Sequence, residues 1–245
     1  MVTTVKIFPD SPALAAASAD DLAALIAAAQ EARGFASIVV TGGSNGIAIL
    51  RELRRAAVDW SRVDVFYGDE RFVADGHRDR NDVQADEALF SHVQGPRLFR
   101  YPTSDEFGGD IALAAQVYAK RLSDNASERG FAGPLPTFDV HLLGMGPEGH
   151  INSLFPHTDA VREKSRLVVP VTDSPKPPPK RLTLTLPAVA YARQVWFLVS
   201  GEAKAQAVAA GVGDADPDDW PCAGAHGIDD TVWYIDKAAA AELQS

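Results

Sequence analysis

The chain contains very little cysteine and has no excess of positive charge. Cys222 is the only cysteine among 245 residues, which excludes an internal disulfide and any metal cluster that needs several cysteines. The formal net charge is −10, whereas nucleic acids and anionic membrane surfaces are bound mainly through an excess of Lys and Arg. We therefore expect neither partner, and a phosphate on a ligand would have to be held by local donors.

Long apolar runs are also scarce. The N-terminal segment has no basic flank followed by an apolar stretch, and no later stretch has the uninterrupted apolar length of a membrane-spanning helix. The hydrophobic fraction of 46% and the charged fraction of 23% are ordinary for a globular protein. We expect a cytoplasmic protein with a single domain over residues 1–245, present as a monomer or a small homo-oligomer.

Patterns typical of strands and of helices alternate along the chain. Short apolar or β-branched runs predict strands, and segments rich in alanine and leucine predict the helices between them. The predicted strands are 5–8, 37–41, 63–67, 138–143, 167–171, 182–186, 195–199 and 231–235. The predicted helices are 12–33, 47–57, 82–93, 107–129 and one that begins near residue 202. This alternation predicts an α/β fold with a mainly parallel, doubly wound sheet and helices on both faces.

Polar or glycine-rich segments follow four of the predicted strands. They are TGGSNG (41–46), GDER (68–71), GMGPEGH (144–150) and SGEAK (200–204). Ligands of open α/β sheets bind outside the carboxyl ends of the strands. The coincidence of the four segments therefore predicts one site at this edge of the sheet.

Segment 41–46 has the composition of an anion-binding loop. The backbone N–H groups of Gly42, Gly43 and Ser44 would meet a phosphate at the favourable end of a helix dipole. The alternative is a tight turn in which Ser44 is only the N-cap of the following helix.

Charged side chains near the strand ends are further candidates for ligand binding. Arg71 could bind a phosphate with two parallel hydrogen bonds, and Asp69 could orient a histidine or a ligand hydroxyl. Arg181 and Lys204 could complete a phosphate clamp. The alternatives are a solvated turn at 69–71 and ordinary surface charges at the other two positions.

His150 directly follows the third of these segments, where an imidazole could act as a general base near neutral pH. The alternative is a structural histidine. The glycines at 144, 146 and 149 also match the G-x-G-x-x-G pattern of dinucleotide sites, but Pro147 removes a donor inside the turn and Pro156 ends any following helix early. His141, His157 and Asp159 complete no metal-ligand spacing with His150, so we expect no metal.

A proline-rich segment, SPKPPPK (174–180), separates two of the predicted strands. Its prolines lack the N–H donors of a central strand. Lys176 and Lys180 could make it a mobile basic lid, or they could only keep the loop soluble.

Together these motifs resemble the 6-phosphogluconolactonase family, whose fold group includes the glucosamine-6-phosphate deaminases. TGGSNG, GDERFV, LLGMGPEGHINSLFP, PPPKRLTLTLP and SGEAKA occur in the family's order and approximate spacing over nearly the whole chain. The resemblance implies a Rossmann-like three-layer fold and hydrolysis of 6-phospho-D-glucono-1,5-lactone to 6-phosphogluconate without a cofactor. This reaction is the second step of the oxidative pentose phosphate pathway.

The resemblance also implies roles for individual residues. His150 would activate water and Asp69 would position the substrate or the base. The implied phosphate ligands are Arg71, Arg181, Lys204 and the loop Gly42, Gly43 and Ser44, and further candidates are Glu148, Gly146 and Asn81. Three departures from the family stand out: Glu148 replaces a usual aspartate, Asn152 replaces a usual small residue, and the loop GHRDRN (76–81) lacks a proline.

Two alternatives differ from the lactonase in class or chemistry. A deaminase or isomerase of amino-sugar phosphates would resemble FNEP where this chain has Leu154, Phe155 and Pro156, so the additional glutamate of those enzymes is missing. A non-catalytic sugar-phosphate sensor would need an output segment, and the chain offers no helix-turn-helix pattern for one.

Overall fold

The computed structural model describes residues 2–213 and 215–243, so residues 1, 214, 244 and 245 of the predicted domain lie outside the described residues. The strands are β1 (Val2–Phe8), β2 (Ala36–Val40), β3 (Val63–Tyr67), β4 (Asp69–Arg71), β5 (Arg97–Phe99), β6 (Phe138–Leu143), β7 (Val168–Val171), β8 (Arg181–Leu184), β9 (Ala192–Val199) and β10 (Asp230–Asp236). The α-helices are α1 (Ser11–Arg33), α2 (Gly43–Glu52), α3 (Asn81–Ala88), α4 (Ile111–Glu128), α5 (Asp159–Arg162), α6 (Leu186–Val189) and α7 (Ala205–Val212). Short 3-10 helices cover 53–55, 60–62, 90–92, 107–109, 202–204 and 221–224.

Seven strands form the central sheet in the order β1-β10-β9-β6-β2-β3-β5. Every pairing in this sheet is parallel, which confirms the predicted mainly parallel, doubly wound fold. All residues of β2, β3 and β6 are buried, as expected for strands that are covered by helices on both faces.

Three strands form a second, antiparallel sheet in the order β4-β8-β7. The alternative of a solvated turn at 69–71 is therefore wrong, because β4 pairs with β8 over Asp69–Arg71. Gly68 links the two sheets, and its carbonyl accepts a 2.9 Å hydrogen bond from the backbone N–H of Leu184. The partner strand β8 lies more than a hundred residues after β4 in the sequence, so no local sequence pattern indicates this pairing.

Helix α1 begins and ends at residues that cap it locally. The side chain of Asp10 accepts a hydrogen bond from the backbone N–H of Ala13, and Gly34 ends the helix in the left-handed conformation with φ 88°. By length and composition alone the helix could span a membrane, although Asp20 and Asp21 interrupt its apolar run. One side of α1 belongs to the core, where Leu22 and Ile26 are fully buried.

Helix α2 begins four residues before the predicted start at residue 47. Glycine and asparagine weaken a helix, but here the side chain of Asn45 donates to the carbonyl of Leu198 at 3.1 Å and to Ser200 Oγ at 3.0 Å. These long-range bonds stabilise a first turn that local propensity disfavours. Ser44 lies inside the helix and Gly42 occupies the N-cap, so the alternative that Ser44 is the N-cap is wrong.

Candidate active site

One cleft lies at the carboxyl ends of β2, β3, β6 and β9, and all four polar segments contribute to it. Nine of the predicted site residues line this cleft: Gly42, Gly43, Ser44, Asp69, Arg71, Asn81, His150, Arg181 and Lys204. The other two candidates, Gly146 and Glu148, lie directly behind the imidazole of His150. The strand-end pattern therefore brings together the side chains that the sequence singled out.

His150 is held by contacts on one edge and one face of its ring. Its Nδ1 lies 3.0 Å from Glu148 Oε1, and the ring stacks on Phe155 with 4.5 Å between the ring centroids. Because a carboxylate can only accept, Nδ1 carries the hydrogen and Nε2 keeps its lone pair. Burial and the charge of Lys176 lower the pKa of His150 to about 4, against the opposing effect of Glu148. The imidazole is therefore neutral at pH 7.

Gly146 provides the space that the His150 ring occupies. A Cβ added at this position would lie 2.1 Å from His150 Nδ1 and 2.7 Å from Glu148 Oε2. Any side chain at 146 would therefore displace the ring or its carboxylate partner. Gly146 is required for close approach rather than for an unusual backbone conformation.

Asp69 is fixed by side chains from three separate segments. Its Oδ1 accepts a 3.0 Å hydrogen bond from Asn81 Nδ2, and its Oδ2 accepts a 2.6 Å bond from Ser153 Oγ. Arg181 Nη1 lies 3.9 Å from Oδ2. The carboxylate still has free lone pairs, so it can accept a further hydrogen bond from a ligand hydroxyl or from water.

Asn81 reaches the cleft because Glu70 anchors the start of α3. The Glu70 carboxylate accepts backbone hydrogen bonds from Asn81 at 2.7 Å and from Asp82 at 2.9 Å. Burial raises the pKa of Glu70 to about 7, although Arg80 and these N–H donors favour the carboxylate. The Asn81 amide also packs against Gly42, where an added Cβ would lie 2.1 Å from its Oδ1.

Arg80 lies outside the cleft, unlike its neighbour Asn81. Its side chain is fully buried and forms two hydrogen bonds to Asp82, of 2.9 and 2.7 Å. A third bond, of 3.0 Å, reaches the carbonyl of Tyr101. The unusual loop at 76–81 thus contributes Asn81 to the site and uses Arg80 to hold its own structure.

The two cleft arginines differ in how many donors they have left. Arg181 donates from Nε to the carbonyl of Pro178 at 3.1 Å, and from Nη2 to the carbonyls of Lys176 and Pro177 at 2.9 and 3.1 Å. Burial lowers the pKa of its guanidinium. Arg71 has one bond to a carbonyl, that of Asp79. Arg181 therefore mainly holds loop 174–180, and Arg71 has more capacity for a ligand.

The N-terminus of α2 and the side chain of Lys204 both line the cleft. The N-cap residue Gly42 provides no side-chain hydrogen bond, which leaves the first backbone N–H groups of α2 available. Lys204 has no side-chain hydrogen bond or ion pair among the described residues. Burial, and secondarily the charge of Lys176, lower its pKa. Uncompensated donors of this kind are suited to an anion.

His141 and His157 do not join His150 in a metal site. His141 is fully buried in β6, where burial lowers its pKa to about 3, and its Nε2 faces the Asn152 amide at 3.5 Å. His157 lies beside Asp218, with 3.3 Å between Nδ1 and the carboxylate. Over residues 2–213 and 215–243, no three His, Cys, Asp or Glu side chains are placed to share a metal ion.

Sequence reasoning missed Ser153 as a site residue. Its hydroxyl donates to Asp69 and lies 3.5 Å from Arg181 Nη1. A serine in a turn carries no local signal of such a role. Only its place after His150 in the motif, opposite β4, could have suggested it.

The fold and the cleft define an α/β enzyme with a polar cleft at the carboxyl edge of a parallel sheet, where such folds bind their ligands. A family model described as glucosamine-6-phosphate isomerases/6-phosphogluconolactonase matches residues 9–233. The chain belongs to this family.

The matches to relatives of named function cover nearly the whole chain. The 6-phosphogluconolactonase of Mycobacterium tuberculosis is 52% identical over 250 residues, which cover 100% of both sequences. That of Streptomyces coelicolor is 45% identical over 241 residues, 96% of this chain and 92% of the relative. The solved 6-phosphogluconolactonase of Trypanosoma brucei has a TM-score of 0.83 and 26% identity, and the match covers 99% of each chain.

Proposed function

We propose that this enzyme hydrolyses 6-phospho-D-glucono-1,5-lactone to 6-phosphogluconate, with His150 as the general base. The observation that carries the proposal is the neutral, Glu148-bound imidazole in a cleft that also presents free anion-binding donors. The full-length relatives named 6-phosphogluconolactonase support the same reaction. No cofactor takes part in this chemistry.

In the proposed mechanism, Nε2 of His150 removes a proton from water as the water oxygen attacks the lactone carbonyl carbon. The resulting oxyanion collapses, the bond from the carbonyl carbon to the ring oxygen breaks, and the ring oxygen takes the proton from the imidazolium. A low pKa makes His150 a weak base and its conjugate acid a strong proton donor. That balance suits a reactive ester whose leaving group is an alkoxide.

We propose that the phosphate binds at the N-terminus of α2, with Lys204 and Arg71 as its charged partners. The phosphate is remote from the carbonyl, so this contact orients the lactone and does not activate it. Asp69 is placed to accept a hydrogen bond from a sugar hydroxyl or from the attacking water. Arg181 contributes its remaining donors and fixes the neighbouring loop.

The enzyme carries a net charge of −10, which disfavours binding to nucleic acid and to anionic membranes. We place it in the cytoplasm as a single-domain monomer or small homo-oligomer, without nucleic-acid or membrane partners.

The reaction is tested with freshly generated lactone. We expect acid release to be faster than the spontaneous hydrolysis measured in the same buffer. Glucosamine 6-phosphate in a parallel assay for ammonia tests the deaminase alternative. Acid release at the buffer rate contradicts the proposal, and ammonia release would favour the deaminase.

Replacing Lys204 with Met should weaken phosphate binding and leave the chemical step nearly intact. One charge-assisted hydrogen bond contributes about 1.5–3 kcal/mol, so KM should rise about 10- to 100-fold with little change in kcat. Inorganic phosphate should also inhibit the variant less. Lys237→Met, at an exposed position, is the matched control. A variant with unchanged KM would remove Lys204 from the clamp.

A further inference from the structure

Lys176 contacts both His150 and Glu148. It belongs to loop 174–180, which lies between β7 and β8. Its Nζ lies 2.7 Å from Glu148 Oε1 and 3.1 Å from Oε2. The same atom is 3.4 Å from His150 Nδ1. The Lys176 ammonium and the Glu148 carboxylate therefore form an ion pair on the Nδ1 side of the imidazole, away from Nε2.

Loop 174–180 is tied down at several points. Its main-chain carbonyls receive three hydrogen bonds from Arg181. Inside the loop, the backbone N–H of Ser174 donates to the carbonyl of Pro179 at 3.0 Å, and its hydroxyl donates to the carbonyl of Lys176 at 3.0 Å. These bonds order the loop backbone, and the contact with Glu148 sets the position of the Lys176 ammonium.

The distances decide which group bonds to Nδ1. If Nδ1 were bare, it would accept from Lys176 at 3.4 Å while its lone pair faced Glu148 Oε1 at 3.0 Å. If Nδ1 carries the hydrogen, it donates to Glu148 at the shorter distance, and Lys176 donates to the same carboxylate. Only the second arrangement satisfies all three groups, and it leaves Nε2 as the proton acceptor.

The charge of Lys176 also opposes protonation of His150. Glu148 and Asp69 both favour an imidazolium, whereas burial and Lys176 disfavour it. The other charged groups that line the cleft around the ring are Arg71, Arg181 and Lys204. Lys176 lies 3.4 Å from His150 Nδ1 and is bonded to the carboxylate that would otherwise raise the pKa of His150.

We infer that Lys176 is a positioning residue for the base of the proposed reaction. It holds Glu148 against Nδ1 and balances its charge, so that His150 keeps a bare Nε2. This inference rests on the proposed function for its catalytic meaning. The effect of Lys176 on the protonation of the His150 ring can be measured without substrate.

The kinetic test compares Lys176→Met with the parent over a range of pH. Methionine keeps the apolar stem and removes the charge. We expect the acid limb of the kcat/KM profile to move up by about one pH unit or more. At pH values below the acid limbs of both proteins, kcat/KM of the variant should be lower than that of the parent by about tenfold for each unit of this shift. Lys176→Arg should restore the parent profile, and Lys180→Met, at an exposed position of the same loop, should not alter it. An unmoved acid limb in active Lys176→Met overturns the inference.

The second test follows the histidine ring itself by nitrogen NMR of the substrate-free protein, with His150→Gln for assignment. In the parent we expect a neutral ring protonated at Nδ1 that titrates near pH 4. In Lys176→Met we expect the titration to shift upward by about one unit or more. Identical titrations in the two proteins contradict the role of Lys176. Failure of the parent to hydrolyse the lactone contradicts the proposed function instead, and the two failures are distinct.

Discussion

Replacing His150 with Gln is expected to lower kcat about 10²- to 10⁴-fold, the usual contribution of a positioned general base. Glutamine can still donate a hydrogen bond to Glu148, but it cannot take a proton from water. Because His150 is placed outside the proposed phosphate site, the affinity for 6-phosphogluconate should change little. Acid release from fresh lactone and a binding titration with 6-phosphogluconate measure the two quantities separately.

His92→Gln provides the matched control, since His92 is exposed and does not line the cleft. It should retain the parent kcat. The role assigned to His150 would be wrong if His150→Gln and His92→Gln had the same turnover. A loss of product affinity equal to the loss of kcat would instead point to a binding role.

Replacing Gly146 with Ala should lower kcat about 10²-fold, the order of loss expected when a reacting group is misplaced by about 1 Å. The added methyl would lie 2.1 Å from His150 Nδ1 and 2.3 Å from Cε1, far inside van der Waals contact. The ring must therefore turn or retreat from Glu148. Steady-state kinetics and the thermal unfolding midpoint separate this local effect from loss of folding.

Gly144→Ala is the control for the same turn. Its methyl would meet the carbonyl of Gly42 at 3.5 Å and Thr41 Oγ1 at 3.6 Å, which are ordinary contacts. We expect it to keep kcat within about threefold of the parent, as tolerated small-to-large changes do. Equal activities for the two alanine variants would show that His150 does not depend on the space at Gly146.

The sequence predicted the parallel sheet because its central strands are short apolar runs bounded by turn residues. It did not predict the antiparallel sheet. The strand Asp69–Arg71 is charged and only three residues long, and its hydrogen-bond partner lies at Arg181–Leu184. A strand of this kind is defined by its pairing, and pairing over such a separation is a property of the folded chain.

The same distinction applies to the site. The segments that follow the strands could be predicted, since parallel strands place their carboxyl ends along one edge. The bonding partner of each side chain could not be predicted. Arg181 looked like a phosphate ligand, but three of its hydrogen bonds go to loop carbonyls. Lys176 was one of two lysines in a proline-rich loop, and only the fold places it beside Glu148.

The pairing of β4 with β8 sets Arg71 directly opposite Arg181. Two like charges facing each other across a strand pair repel, and the charge of Arg71 contributes to the lowered pKa of Arg181. The Asp69 carboxylate, 3.9 Å from Arg181 Nη1, offsets part of this repulsion. An anion bound between these two side chains would offset more of it, so relief of this repulsion would contribute to the affinity for a phosphorylated ligand.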